Sequence, residues 1–126
     1  MPRIRERNKM DYMFYTPWGI EEMTGYKPKT TFWEDFCIAD KFGKSAVQDT
    51  YNRAFKAWKD DVEYVTELVM VLNWKSWQFA GMYEKSGNEA HKQMSVLYEE
   101  LYFKAHNWCC KNLKGDDLGY YLRTTD

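Results

Sequence analysis

The residues of this chain best suited to chemistry are its two histidines and three cysteines. His106 and Cys109 lie three positions apart, which would place an imidazole and a thiol on one face of a helix. Two such ligands fall short of the tetrahedral set of a zinc site. The other candidates are Cys37, distant in sequence, and His91, about four turns earlier on the same predicted helix. We therefore expect no metal, no cofactor and free thiols in a reducing cytoplasm.

The same His106 and Cys109 are also the nearest approach to a nucleophile with its base. A working nucleophile needs a third group to orient the base and donors for the developing oxyanion, and the sequence marks neither. The seven glycines are scattered and form no phosphate-binding loop. Acidic pairs such as Glu63 with Glu67 are better explained as solvated helix faces than as acid–base dyads. We therefore expect that the protein is not an enzyme.

Length and charge narrow the class of protein further. The 126 residues suit one ordinary domain, and the net charge of −1 predicts no strong general attraction to nucleic acid or to an anionic membrane. No signal-peptide pattern opens the sequence. The longest apolar run, Leu68–Leu72, is far shorter than the ~20 residues that span a bilayer. We expect a cytoplasmic protein with a flexible basic arm at residues 1–12 and a single helical domain at residues 13–126.

Helix start and stop signals predict an all-α, compact bundle. We expect about five helices, of which a short one lies near the N-terminus and two long C-terminal ones form the core. No segment alternates apolar and polar residues over the length of a strand. The run Leu68–Leu72 is apolar on every side, which is typical of a central, fully packed helix. The predicted helices span residues 17–24, 31–42, 45 to about 58, 60 to about 79–83 and 89–113, with a last single turn at 116–118.

Aromatic residues are unusually frequent, at 18% of the chain. Each ring buries roughly 150–250 Å² when enclosed, so a small domain has limited room for all of them. We expect the surplus to lie on the surface and to anchor a protein partner, which includes a second copy of the chain in a homodimer. The alternative is that the rings only close a thin core. The candidates for partner binding are Tyr12, Phe14, Tyr15, Trp18, Trp33, Trp74, Trp77, Tyr120 and Tyr121.

The segment from Trp18 to Pro28 resembles the first helix and turn of excisionase-like helix-turn-helix proteins. This resemblance implies an alternative function, a small DNA-binding regulator that uses residues 16–42. The following helix would then enter the major groove, yet it begins with Glu34 and Asp35, whereas groove-reading helices carry Arg, Lys, Asn or Gln there. The candidate nucleic-acid contacts are Arg3, Arg5, Arg7, Lys27 and Lys29.

A longer resemblance extends from about Phe14 to the end of the chain. The segments that carry it are Glu22–Pro28, Thr30–Trp33, Ile38–Gly43, Thr66–Trp74 and Leu122–Asp126. They resemble small helical proteins carried by phages and mobile elements of gut bacteria. The resemblance implies an accessory protein in a bacterial cytoplasm. Many accessory proteins of this size and origin bind a host protein, and some inhibit CRISPR or other defence systems, so an inhibitor of that kind is the function it implies.

Overall fold

The computed structural model describes residues 16–125, with the backbone alone at Pro17 and Trp18. This part of the chain contains six α-helices and no β-strand, which confirms the predicted all-α class. The predicted arm at residues 1–12 lies outside the described range. The helices are α1 (Pro17–Thr24), α2 (Phe32–Asp40), α3 (Lys44–Trp58), α4 (Val62–Ser86), α5 (Glu89–Asn112) and α6 (Gly115–Thr125).

The helix ends follow local capping chemistry. Helix α1 begins where the Thr16 hydroxyl accepts a hydrogen bond from the Gly19 amide at 3.2 Å, as predicted. Helix α2 ends at Asp40, two residues before the predicted end, and the chain turns through Gly43, whose φ of 103° favours glycine. Asp61 rather than Asp60 caps α4, because its side chain accepts from the Tyr64 amide.

The two long helices form the centre of the bundle, as predicted. Helices α4 and α5 pack closely along each other, and α2, α3 and α6 also pack against α4. Leu68 and Leu72 are fully buried on α4. Ser76 and Ser95 join the two long helices, because each hydroxyl donates to the other residue's carbonyl, at 3.2 Å and 2.8 Å. No helix within the described range is long and apolar enough to cross a lipid bilayer.

The C-terminal segment is more ordered than the predicted single turn. Helix α6 has 11 residues, begins at Gly115 and carries Asp116 and Asp117 in its first turn, where the helix dipole favours carboxylates. Its inward face buries Tyr121 completely. Leu118, Tyr121 and Leu122 have helical spacing, so the sequence carried a periodic signal for this helix that the predicted single turn did not include.

Candidate functional site

Three of the aromatic residues predicted to anchor a partner are part of the core. Trp33, Trp74 and Tyr121 are each at most 5% exposed, so the expectation that they lie on the surface is wrong. Trp33 packs against the ammonium group of Lys75, which lies 4.6 Å from the ring centroid. Trp74 makes an edge-to-face contact with Tyr26 at 6.4 Å. The bundle holds these bulky rings because they pack against one another and against buried polar groups.

The other predicted anchors are divided between partly buried residues and residues outside the described range. Trp77 packs against the core and is half-buried. Tyr120 is also half-buried, and its ring centroid lies 6.0 Å from the Lys29 ammonium. These two do not form an exposed aromatic cluster. Lying outside the described range are Tyr12, Phe14, Tyr15 and the side chain of Trp18.

The predicted nucleic-acid contacts are only partly visible in the structure. The Lys29 ammonium lies 3.1 Å from the Glu63 carboxylate, and the hydrogen bond to Glu63 is the main reason that the pKa of Lys29 is raised. Lys29 therefore already has an anionic partner within the protein. Lys27 is exposed, whereas the candidates outside the described range are Arg3, Arg5 and Arg7.

A buried carboxylate fixes the connection between α1 and α2. Glu67 on α4 accepts hydrogen bonds from the Tyr26 hydroxyl at 2.7 Å, from the amides of Lys29 and Thr30 at 2.7 Å and 2.9 Å, and from the Thr30 hydroxyl. Burial, and then the bond to Glu67, raises the pKa of Tyr26 well above its usual range. The four donors to Glu67 compensate the desolvation of its carboxylate, so Glu67 has a structural role. The prediction that Glu67 lies on a solvated face is therefore wrong.

A buried lysine on the same helix joins α4 to α2. The Lys75 ammonium lies 2.6 Å from the Asp40 carboxylate and 2.9 Å from the Gln78 side-chain oxygen. The rings of Phe79 and Tyr98 flank it, with centroids at 5.1 Å and 5.7 Å. The Tyr98 hydroxyl donates to Asp40 at 2.5 Å. This charged pair is enclosed and internally satisfied, so it offers no open position to a substrate.

The histidine and cysteines of α5 are arranged differently from the prediction. Cys109 is fully buried, and burial raises the pKa of its thiol to about 12. Cys110 lies beside His106 instead, with Sγ 3.6 Å from Nε2. Cys109 turns inward because it continues the buried face of Leu101 and Ala105. The other ring nitrogen of His106 contacts the Tyr121 hydroxyl at 2.5 Å, and within the described range no group of three metal-ligating side chains forms.

An open groove between α2 and α3, with a volume of about 580 Å³, is suited to binding a macromolecule. Large apolar side chains border it and remain in water: Phe42 is 77% exposed, Ile38 58% and Trp58 38%. Small side chains keep the groove open where leucine would fill it. The lining alanines are Ala39, Ala46, Ala54 and Ala57.

Charged residues flank this α2–α3 groove on both helices. Asp35 of α2 and Asp49 of α3 contribute carboxylates, and Arg53 follows one turn after Asp49. The groove therefore combines exposed apolar surface with acidic groups on both sides. With two carboxylates against one guanidinium, the charged lining carries a net charge of −1, which favours an apolar surface that carries basic side chains.

The residues of the α2–α3 groove were not predicted from the sequence, although one signal was present. Phe42 follows the end of α2 and directly precedes Gly43, the residue at which the chain turns. A bulky apolar residue at such a position indicates an exposed contact. Trp58 lies at the last turn of α3 and stacks on Tyr64, with ring centroids 4.2 Å apart.

Comparisons with family models, with curated proteins and with solved structures find no significant match to this chain. The resemblance to proteins of phages and mobile elements therefore stays a prediction.

Proposed function

We propose that the protein is a non-enzymatic interaction protein that binds an α-helix of a partner protein in the α2–α3 groove. The observation that carries this proposal is the exposure of Phe42 beside Ile38 and Trp58 on one groove. Single apolar side chains are common on protein surfaces, whereas several around one concave surface are typical of interaction sites. Buried aromatic anchors supply most of the affinity in such interfaces.

The occupant that fits the α2–α3 groove is an amphipathic helix with basic residues beside its apolar face. A helix presents apolar side chains at i, i+3, i+4 and i+7, which match a groove formed by two helices. The lining alanines allow the partner's helix to approach α2 and α3 closely. Lysine or arginine on its flanks would face Asp35 and Asp49, which fixes its orientation more than its affinity.

The resemblance to phage and mobile-element proteins supports a bacterial host protein as the partner. In that setting, the protein acts in the cytoplasm as an inhibitor, and a component of a CRISPR or other defence complex is the target. Inhibition would follow if the captured helix normally contacts another subunit. No observation on the described residues favours the DNA-binding alternative, because the first turn of α2 carries the exposed Glu34 and Asp35, and Glu67 fixes the preceding connection.

Site-specific photocrosslinking in a bacterial host tests this proposal. A benzophenone amino acid replaces Phe42 in one variant and Phe103 in a matched control, because Phe103 of α5 is 51% exposed but lies outside the α2–α3 groove. We expect position 42 alone to crosslink to a defined protein segment, which mass spectrometry identifies as an amphipathic helix carrying Lys or Arg. Equal crosslinking from both positions, or crosslinks from position 42 to nucleic acid, would contradict the proposal.

A further inference from the structure

A second pocket, on the opposite side of α3 from the first, lies between α3 and α5 and has a volume of about 270 Å³. It shares no lining residue with the α2–α3 groove. Aromatic side chains form one part of its wall and lysines another, and the two parts meet where the Lys104 ammonium lies 5.8 Å from the Tyr51 ring centroid. The lining residues are Tyr51, Asn52, Phe55, Lys56, Lys59, Lys104 and Trp108.

The aromatic wall offers ring surface to a ligand. Phe55 and Trp108 are perpendicular, with centroids 5.3 Å apart, and both are only half-buried. Tyr51 is buried and stacks behind Phe55 at 5.7 Å, which holds the Phe55 ring in place. A planar apolar group that enters this α3–α5 pocket can therefore pack against two rings of fixed orientation.

The cationic wall is not neutralised by its surroundings. Within the described range, no carboxylate lies within 4.0 Å of the ammonium groups of Lys56, Lys59 or Lys104. Asp60 directly follows Lys59, and Glu100 precedes Lys104 by one turn of α5, but neither carboxylate lines the pocket. Positive charges beside low-dielectric rings attract an anion more strongly than lysines surrounded by water do.

We infer that the α3–α5 pocket binds a small planar organic anion, in which an aromatic ring or heterocycle carries a carboxylate or phosphate group. The ring contacts Phe55 and Trp108, and the acidic group faces the lysines. The volume is close to the lower limit of about 300 Å³ for ligand pockets, which suits a mono- or bicyclic ligand. Both nucleoside monophosphates and aryl carboxylates have this chemistry.

Titrations followed by the indole N–H resonance of Trp108 test this inference, with Trp108→Phe assigning the signal. The probes are indoleacetate and adenosine monophosphate, and the controls are indole, adenosine, acetate and inorganic phosphate. We expect a saturable shift with at least one of the two probes, and binding about tenfold weaker or absent with each part alone. Saturation by only one probe would assign the pocket to that source of ligand. No saturation by either probe at millimolar concentration would overturn the inference.

Paired lysine variants test the charge contribution. Lys56→Gln combined with Lys104→Gln removes two cations from the α3–α5 pocket, and we expect binding to weaken about tenfold. The matched control combines Lys44→Gln with Lys92→Gln, which changes the net charge equally on exposed lysines outside this pocket. Equal affinity for the pocket variant and the control would contradict the inference. The Phe42→Asp variant should bind these probes normally, so this result is independent of the α2–α3 groove.

Discussion

The core around α4 and the α2–α3 groove differ in which side chains they bury. Around α4, even charged groups such as Glu67 and Lys75 are buried and fully partnered. Along the α2–α3 groove, by contrast, apolar side chains such as Phe42 and Ile38 remain in water. Most aromatic side chains of the described residues therefore lie in the core or pack against it, whereas the proposed partner surface is one where apolar side chains stay exposed. Substitutions should affect folding near α4 and binding at the groove.

The largest loss of stability is expected from Lys75→Met. This change keeps most of the side-chain volume but leaves the Asp40 carboxylate without its cation in a largely buried site. Removing one partner of such a pair costs about 3–5 kcal/mol. Urea denaturation measures the change, and the exposed Lys114→Met serves as the control, which we expect to stay within about 0.5 kcal/mol of the wild-type protein. A similar small effect for Lys75→Met would show that the buried pair is dispensable.

Large-to-small changes in the core should have the next largest effect. Leu68→Ala, Leu72→Ala and Leu101→Ala each remove a buried side chain and should cost about 2–5 kcal/mol. Trp74→Ala should cost a comparable amount, about 3–5 kcal/mol, because its ring is enclosed. Thermal and urea unfolding measure these losses. If Trp74→Ala left stability unchanged, Trp74 would return to the set of surface anchors.

A third effect should appear only in alkaline solution. Burial is the main cause that raises the pKa of Tyr51 to about 12, and it raises the pKa values of Tyr26, Tyr98 and Tyr121 well above their usual range. The folded protein thus holds these phenol protons more tightly than the unfolded chain. The resulting stability is fully present below about pH 10, the ordinary pKa of tyrosine, and is lost as the pH rises further.

The melting temperature measured against pH tests the tyrosine prediction. We expect it to fall steeply above about pH 10, while the tyrosine absorbance of the folded protein shows a fraction of phenols that ionise only on unfolding. Tyr98→Phe removes one of these groups and should make the decline shallower. A melting temperature that stays constant up to about pH 11 would contradict the assignment of these phenols to the core.

The smallest effect on stability is expected at the α2–α3 groove. Phe42→Asp replaces an exposed side chain that lies after the end of α2, so the free energy of unfolding should change by no more than about 0.5 kcal/mol. Equilibrium urea denaturation measures this change, with Phe103→Asp as the control variant. A loss of several kcal/mol would mean that Phe42 supports the fold, and the contrast between the two regions would disappear.

Local sequence signals were sufficient for the helices but not for the burial of their faces. Thr16 and Gly25 delimit α1 at the predicted residues, and the run Leu68–Leu72 is buried as expected. Helix α2, however, carries apolar residues around most of its surface, so its periodicity did not show that Trp33 faces inward and Ile38 outward. That choice depends on which side of α2 packs against α4.

The polar contacts of the core depend on pairs that are distant in sequence. Glu67 contacts Thr30 across 37 positions, and Lys75 contacts Cys37 across 38 positions at 3.6 Å. A charged residue beside an apolar run indicates that burial requires a partner, but it does not identify the partner. The groove was missed for a related reason, because the alanines that keep it open resemble ordinary helix-forming residues.

Calorimetric titration tests most directly whether the α2–α3 groove is the interaction site. The ligand is a peptide of the helical segment to which position 42 crosslinks. We expect the wild-type protein and Phe103→Asp to bind this peptide with equal affinity, and Phe42→Asp to bind it at least about a hundredfold more weakly, because an apolar anchor is lost and a charge is introduced. Undiminished binding by a folded Phe42→Asp variant would contradict the assignment of the α2–α3 groove as the interaction site.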